Sequence, residues 1–248
     1  MLNFKHFSRC NNQPSHNSGE LELAQLLGLF PVGVEEVAGG YAVYTDDVGE
    51  RVLTAQFEVT SSSFAEGWEE AWREFHHGVE VGRFWVGPPW EEATDGVIPI
   101  VIDPGRAFGT GAHATTRLSL DLLQELEPSS LLDVGCGSGV LSIAAAKLGF
   151  EPIVAVDNEQ DAVDIALANA RANGVEIGAY RADALTDELP AADVVVANVA
   201  LDVVEGLLPR LDARIAITSG YLERDELRAP GWHRLARRDR EEIGRAHV

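Results

Sequence analysis

The chain has 248 residues, of which 46% are hydrophobic and 24% charged, as expected for a globular protein with one large or two small domains. Its 19 Lys and Arg residues and 40 Asp and Glu residues give a formal net charge of −21, which argues against broad binding to a nucleic-acid backbone because such binding depends on Lys and Arg. No stretch reaches the roughly 18 consecutive apolar residues of a membrane span. With only two cysteines, Cys10 and Cys136, a disulfide scaffold and a Cys-rich zinc site are excluded, and a reducing compartment is indicated.

Residues 1–19 differ from the rest of the chain, because they contain no acidic residue and are rich in Asn, Ser and His. They have neither a hydrophobic periodicity nor the apolar core of a secretory signal. We therefore expect a disordered tail or a leader here, with a weak transit peptide as the alternative.

Residues 20–62 have the pattern of a small α+β domain. A leucine stripe over 21–27 predicts a helix that ends at a glycine. Two segments joined by a pair of glycines, 34–37 and 41–45, predict a hairpin, and 51–60 predicts a further strand.

Residues 63–95 are rich in tryptophan and are predicted to link this small domain to the second half of the chain. Trp68, Trp72 and Phe75 are spaced so that they lie on one face of a predicted helix. We expect that face to pack against a neighbouring domain, and an exposed aromatic docking surface is the alternative.

Residues 96–248 alternate between continuous apolar segments and segments with helical periodicity. Strands are predicted over 131–134, 153–156, 177–181, 194–199 and 214–219. Helices are predicted over 115–127, 139–148, 159–173 and 201–211. Apolar strands that alternate with helices form a parallel sheet covered on both faces, so the predicted fold class is α/β with a Rossmann-like sheet.

A glycine-rich turn follows the first strand of this sheet, with the sequence Asp-Val-Gly-Cys-Gly-Ser-Gly-Val-Leu over 133–141. Gly135, Gly137 and Gly139 allow positive φ angles and let a ligand approach the bare backbone. Asp157, 22 residues after Gly135 and at the end of the second strand, has the usual position of an acid that binds ribose hydroxyls. The third glycine comes one residue earlier than in nicotinamide-binding proteins, and this spacing is typical of sites for S-adenosylmethionine.

Two further polar residues end strands at the same edge of the predicted sheet. Asp183 follows the third strand and can accept a hydrogen bond from an adenine amino group, with a helix cap or a turn as the alternative. Asn198 ends the fourth strand, where its amide can accept a hydrogen bond from an amine N–H. The alternative for Asn198 is to cap the helix that begins at Leu201.

A second glycine-rich segment precedes the sheet, with the sequence Pro-Gly-Arg-Ala-Phe-Gly-Thr-Gly-Ala-His-Ala-Thr-Thr over 104–116. On its own it suggests either a clamp on a polar ligand, with Phe108 and Thr110 as candidate cofactor contacts, or the N-cap of the next helix. Together with the glycine turn, the acid after the second strand and the amide after the fourth, it resembles the ribosomal protein L11 methyltransferase family (PrmA). The resemblance extends over residues 21–222.

This resemblance implies a class I S-adenosylmethionine-dependent methyltransferase sheet with a small N-terminal α+β domain. It implies that Thr116, Gly135, Asp157 and Asn198 bind S-adenosylmethionine. The methyl groups would pass to lysine ε-amines and the N-terminal α-amine of ribosomal protein L11, the stalk-base protein of the large subunit. In such a cytoplasmic enzyme the small domain holds the protein substrate and the linker moves it over the catalytic domain. We expect a monomer that contacts neither nucleic acid directly nor membrane.

Catalysis is predicted to depend on positioning. The sequence offers no evident pair of His and Asp or of Cys and His residues for proton transfer, and no metal site is predicted. Cys136 is expected to be buried, and His113 to be either a base or a hydrogen-bonded residue that orders its loop. We therefore predict that Asn198, with backbone carbonyls, aligns the amine for transfer.

Other functions are compatible with the same residues. One is a methyltransferase that acts on another protein or on a small amine. Another is a non-catalytic adenosyl-binding assembly factor. An RNA methyltransferase is disfavoured by the net charge of −21, and an NAD-dependent reductase by the glycine spacing.

Overall fold

The chain divides into two compact units, Met1–Phe75 and His76–Val248. The computed structural model describes Leu53 and four strands in the first unit and, in the second, residues 77–103, 113–221, 225–239 and 245–247.

The first unit contains two antiparallel strand pairs. Its strands are β1 Lys5–Ser8, β2 Val34–Val37, β3 Gly40–Val43 and β4 Thr60–Ser63. The pairing of β2 with β3 confirms the predicted hairpin. β1 pairs with β4, so the structure differs from the predicted tail at these four residues. A strand whose partner lies far away in sequence needs no local pattern of its own, because its stability comes from pairing and packing.

The predicted strand over 51–60 is wrong at Leu53. This residue is helical and 1% exposed, and Thr60 begins β4, whereas the other residues of 51–60 lie outside the described residues. The short apolar pattern around Leu53 suits a buried helix as well as a strand, and periodicity alone does not separate the two. The helices predicted over 21–27 and around Trp68 lie outside the described residues.

A three-stranded sheet opens the second unit. Its strands are β5 Val79–Val81, β6 Phe84–Gly87 and β7 Ile98–Val101. β6 pairs antiparallel with β5 and parallel with β7. The structure thus differs from the predicted linker over 63–95, because residues 79–87 belong to a sheet of this unit. The burial of Phe84 and Trp85 in β6 accounts for part of the aromatic content that characterises the segment.

The main sheet of the second unit has seven strands in the described residues. They are β8 Leu131–Val134, β9 Ile153–Asp157, β10 Gly178–Arg181, β11 Val194–Asn198, β12 Ile215–Tyr221, β13 Arg237–Asp239 and β14 Arg245–His247. Their order is β10-β9-β8-β11-β12-β14-β13. The first five run parallel, and β14 is antiparallel to both β12 and β13. The predicted parallel sheet is therefore confirmed.

Four α-helices accompany the parallel strands in the described residues, one before the first strand of the main sheet and three between successive strands. They are α1 Ala114–Leu123, α2 Val140–Leu148, α3 Gln160–Ala172 and α4 Leu201–Leu207. Each was predicted, but α1 and α4 both end four residues early. The Gln124 side chain donates to the carbonyl of Leu120 and accepts from the backbone N–H of Arg83, so a contact with a distant segment ends α1. A 3-10 turn over Leu208–Arg210 follows α4.

The core lies on both faces of the main sheet. Along β11, Val194 and Val196 belong to the cluster that contains α1 and α2, whereas Val195 and Ala197 pack in a second cluster with Leu207 of α4. This alternation places helices against both faces and leaves the ends of the strands as the accessible edges. None of the described helices has the length and apolarity that crossing a membrane requires.

Candidate functional site

The carboxyl ends of the parallel strands meet at one edge of the main sheet. In the strand pairing, Val134 lies opposite Val156 and Ala197, and Asn198 lies opposite Ser219. The strand order also reverses direction here, since the chain continues from β8 to β9 on one side and reaches β11 on the other. Open parallel sheets bind ligands at this kind of switch point, so this edge is the candidate site.

The glycine turn between β8 and α2 depends on residues without a side chain. Gly135, Gly137 and Gly139 have φ angles of 71°, 50° and 78°. A Cβ atom on Gly135 would collide with the Val199 side chain, and one on Gly139 would lie 2.9 Å from the Cβ of Ala166. The predicted positive φ angles are therefore present, and the packing on both sides of the turn also excludes a side chain.

Replacing Gly135 with alanine tests this packing. Gly96 is the matched control, because its φ is also positive, at 89°, but nothing lies within 4 Å of an added Cβ. Gly96→Ala should lower the free energy of unfolding only by the conformational penalty of about 1–2 kcal/mol. Gly135→Ala should cost about 1–3 kcal/mol more, because Val199 must move. Urea unfolding measures both changes, and equal costs would show that the Val199 contact is relieved without penalty.

Asp157 connects the end of β9 to the glycine turn. Its Oδ2 accepts a hydrogen bond from the backbone N–H of Gly137 at 3.0 Å, and its Oδ1 accepts one from the backbone N–H of Glu159 at 3.1 Å. A carboxylate has about four acceptor positions, so these two bonds fix its orientation and leave further positions for a ligand. The structure therefore brings Asp157 to the glycine turn, and its contact with a sugar stays a prediction.

Asp133 was not among the site residues predicted from the sequence. It is 1% exposed in β8, and its Oδ2 accepts hydrogen bonds from the backbone N–H and the hydroxyl of Ser142, at 3.1 and 2.6 Å. Ser142 lies in the first turn of α2, so the carboxylate occupies the positive end of that helix. Its Oδ1 has no hydrogen-bond partner within the described part of the chain. Loss of hydration raises the pKa of Asp133 from 3.8 to about 6 despite these bonds.

This pKa predicts a pH-dependent contribution to stability. Because the folded protein binds a proton at Asp133 more tightly than the unfolded chain does, the contribution is present below pH 3.8 and is lost as the pH rises to about 6. The loss amounts to about 3 kcal/mol. Asp133→Asn removes this titration, so the free energy of unfolding of the wild type minus that of the variant should fall by most of this amount between pH 4 and pH 7. A difference that stays constant across this range would contradict the assignment.

Asn198 is held by hydroxyl groups from two neighbouring elements. Its Nδ2 donates to the Thr116 hydroxyl in α1 at 3.1 Å, and its Oδ1 accepts from the Ser219 hydroxyl in β12 at 3.0 Å. Asn198 itself is half-buried, whereas Thr116 and Ser219 are 1% and 0% exposed. The hydroxyl of Thr116, a residue predicted to bind the cofactor, thus accepts a hydrogen bond from the Asn198 amide. The alternative of a cap on α4 is not observed, because that helix has Ala200 as its N-cap residue and no side-chain cap bond.

The remaining predicted contacts differ in how the structure places them. Asp183 is exposed, and its Oδ1 accepts a hydrogen bond from the backbone N–H of Leu185 at 2.9 Å. Its own N–H donates to the Asp187 carboxylate at 2.8 Å. Asp183 therefore orders a turn through its Oδ1, and its contact with an adenine amino group stays a prediction. Phe108 and Thr110 lie outside the described residues.

The two candidates for proton transfer have different surroundings. Cys136 is 6% exposed, and burial raises the pKa of its thiol far above the usual range, so it stays protonated and packs as expected. His113 precedes α1, and its Nδ1 is 2.7 Å from the Thr115 hydroxyl, which fits the loop-ordering role. Desolvation lowers the pKa of His113, which favours its neutral imidazole. Among the described side chains, none of the His, Cys, Asp and Glu groups forms a metal site.

A parallel sheet in this strand order, with a glycine turn after β8, a carboxylate after β9 and an amide after β11, defines the fold of the class I S-adenosylmethionine-dependent methyltransferases. A family model described as ribosomal protein L11 methyltransferase (PrmA) matches residues 24–226. The chain therefore belongs to this family.

Similarity to individual relatives agrees with this membership. Ribosomal protein L11 methyltransferases of Caldanaerobacter subterraneus subsp. tengcongensis and Symbiobacterium thermophilum are 42% and 44% identical over 150 and 155 residues. These alignments cover 58% and 60% of this chain and 48% and 51% of the relatives. The crystal structure of a ribosomal protein L11 methylase from Lactobacillus delbrueckii subsp. bulgaricus matches with a TM-score of 0.60 and 29% identity, over 69% of this chain and 98% of that one. The chain thus spans about half the length of the curated relatives it matches.

Proposed function

We propose that this chain binds S-adenosylmethionine at the carboxyl edge of its main sheet and transfers methyl groups to amine nitrogens of ribosomal protein L11. Membership of the family and the side chains at that edge support the proposal. When bound, S-adenosylmethionine supplies a methyl group on a sulfonium, which an amine nitrogen takes up by direct displacement, leaving a neutral thioether and a protonated amine that releases its proton.

The carboxylate at the N-terminus of α2 is the single observation that carries the choice of cofactor. Dinucleotide sites place a phosphate at such a helix N-terminus, but here Asp133 already bonds to Ser142. A phosphate would be repelled by this carboxylate, whereas a sulfonium or an ammonium group would be attracted. A cationic adenosyl ligand therefore suits this edge better than NAD does.

Each residue of the edge has a task in this proposal. The bare backbone of Gly135, Gly137 and Gly139 permits close approach of the ligand. Asp157 uses its remaining acceptor positions for the sugar hydroxyls, and Asp183 accepts from the base.

Asn198 has the task of orienting the acceptor amine. Its Oδ1 accepts one hydrogen bond from Ser219 and keeps a second lone pair for an amine N–H. A lysine amine has an ordinary pKa of about 10.4 and an α-amine one of about 7.7–8.0, so the nitrogen must lose a proton before it can react. Since Cys136 is a buried thiol and His113 bonds to Thr115, we infer that solvent takes this proton and that the protein contributes alignment.

The substrate protein and its handling belong to the same proposal. A ribosomal protein is basic, and the net charge of −21 favours its encounter with this chain. Residues 20–62 would recognise the substrate, and the residues between β4 and β5 would link that domain to the catalytic one. We propose that the enzyme acts in the cytoplasm as a monomer.

Transfer of a labelled methyl group tests the proposal. The purified chain is incubated with S-adenosylmethionine carrying a radioactive methyl group and with ribosomal proteins stripped from ribosomes that lack this modification. A single labelled band at L11 is expected. In parallel, calorimetry measures binding of the cofactor to the chain alone.

The other possible outcomes separate the competing functions. A labelled band at a different protein, or label in a small amine only, would indicate a methyltransferase with another substrate. Cofactor binding without any transfer would indicate the non-catalytic adenosyl-binding factor. A well-folded chain that binds no cofactor would overturn both the methyltransferase and the binding-module hypotheses.

A further inference from the structure

A buried chain of hydroxyl groups extends beyond Asn198. The Ser219 hydroxyl, which donates to Asn198, also lies 2.7 Å from the Ser119 hydroxyl of α1. Since the single proton of Ser219 goes to Asn198, Ser119 must be the donor in this second bond. Both serines are almost completely buried, at 0% and 1% exposure. The polar chain therefore runs from the inner face of α1, through β12, to the candidate site.

The arrangement differs from a pair of serines that merely joins a helix to a sheet. Such a pair needs only the bond between its two hydroxyls. Ser219 instead directs its proton at Asn198, the half-buried member of the chain, and Thr116 binds the other side of the same amide. Two hydroxyls on opposite sides clamp the plane of the amide, and rotation of the amide would break both bonds.

The backbone next to Asn198 is held by the same turn of β12. The N–H of Val199 donates to the carbonyl of Ser219 at 3.0 Å. Gly220, with a φ of 100°, approaches Val199 so closely that an added Cβ would collide with its backbone. The end of β12 thus fixes both the side chain of Asn198 and the backbone of the following residue.

We propose that Ser219, supported by Ser119, is a positioning residue that clamps the Asn198 amide so that its oxygen is presented to the substrate amine in a fixed orientation. This inference rests on the proposed methyl transfer. Ser219 is too buried to contact the substrate itself, so its effect passes through Asn198.

Kinetics in two backgrounds test the proposal. Ser219→Ala should lower kcat about 10-fold with little change in the affinity for S-adenosylmethionine, as expected for the loss of one buried hydrogen bond. In the Asn198→Ala background the same substitution should have no further effect on kcat. The same fold loss in both backgrounds, or no loss in either, would overturn the positioning role.

Thr218→Val is the matched control. Thr218 is the neighbouring residue of β12, is 2% exposed, and bonds to Tyr221 rather than to Asn198. Its substitution removes a buried hydroxyl from the same strand and should leave kcat at the wild-type value. If Ser219→Ala does not fold, Ser119→Ala removes the outer bond alone and should lower kcat by a smaller factor. A fall in kcat for Thr218→Val as large as that for the serine variants would contradict the proposal.

Nuclear magnetic resonance gives a readout that does not depend on catalysis. The side-chain amide signals of Asn198, assigned by their loss in Asn198→Ala, are followed in the cofactor-free protein. They should be protected from exchange in the wild type and in Thr218→Val, and should shift and lose protection in Ser219→Ala. Unchanged signals in Ser219→Ala would end the inference. Absence of methyl transfer by the wild type, with these spectral changes intact, would instead reject the proposed function.

Discussion

Asn198→Ala is expected to lower kcat for methyl transfer about 100-fold, the usual cost of removing one preorganised polar group from a reacting centre. The affinity for S-adenosylmethionine should change much less. The reason is geometric, because the amide is fixed between Thr116 and Ser219 and keeps one acceptor position for the incoming amine. Single-turnover transfer measured at saturating cofactor gives kcat, and calorimetry gives the cofactor affinity.

Asn173→Ala is the matched control for this variant. Asn173 makes three hydrogen bonds through its amide, to the backbone of Val101 and Asn169, compared with two for Asn198, but it lies at the end of α3. Its substitution should reduce stability by a similar amount and leave kcat unchanged. Wild-type turnover in Asn198→Ala, or an equal loss in both variants, would remove Asn198 from the mechanism.

Asp157→Ala is expected to lower the affinity for S-adenosylmethionine about 10- to 100-fold, because hydrogen bonds to a charged group are stronger than neutral ones. Two effects act in the same direction. The sugar hydroxyls lose their acceptor, and the bond that holds Gly137 in the glycine turn is lost. Calorimetric titration of the purified variant with the cofactor measures the change.

Asp193→Ala separates these effects from the general cost of removing a carboxylate. Asp193 bonds to Ser130 and directly precedes β11, at the amino edge of the same sheet. Its substitution should leave the cofactor affinity unchanged. If Asp157→Ala binds the cofactor as tightly as Asp193→Ala does, the carboxylate of Asp157 serves only to order the turn.

These two variants affect different stages of the proposed reaction. Asp157 contacts the glycine turn, and its loss should appear in binding. Asn198 contacts α1 and β12, and its loss should appear in turnover. A variant carrying both substitutions should therefore show roughly additive losses, since no hydrogen bond joins the two side chains in the described structure.

Local patterns in the sequence predicted most of the main sheet. The strand over 131–134 was predicted with the bounds that the structure has, because a fully buried parallel strand appears as a continuous apolar segment. The positions of Gly135 and Asp157 at the carboxyl edge followed from the same regularity. The ends of α1 and α4 were less accurate, since the contact of Gln124 with the backbone of a distant segment ends α1 and a 3-10 turn completes α4.

The parts of the fold that depend on distant partners were not predicted. The pairings of β1 with β4 and of β6 with β7 join segments with no short-range signature. The same limit applies to the site. Asp133 was not selected, although an acid within an apolar strand could have indicated a buried carboxylate, and Ser119 and Ser219 are ordinary in the sequence.

The sequence by itself determined the class of sheet, the glycine turn, and the acid and amide at its edge, because each of these is encoded in neighbouring residues. Tertiary structure alone decided what those groups do to one another. Asp157 holds Gly137, Asp133 occupies the end of α2, and Ser219 fixes Asn198. These contacts join residues on different strands and helices, and their burial sets the pKa of Asp133 and the orientation of the Asn198 amide. Such effects arise only when packing removes water and brings distant groups within hydrogen-bond distance.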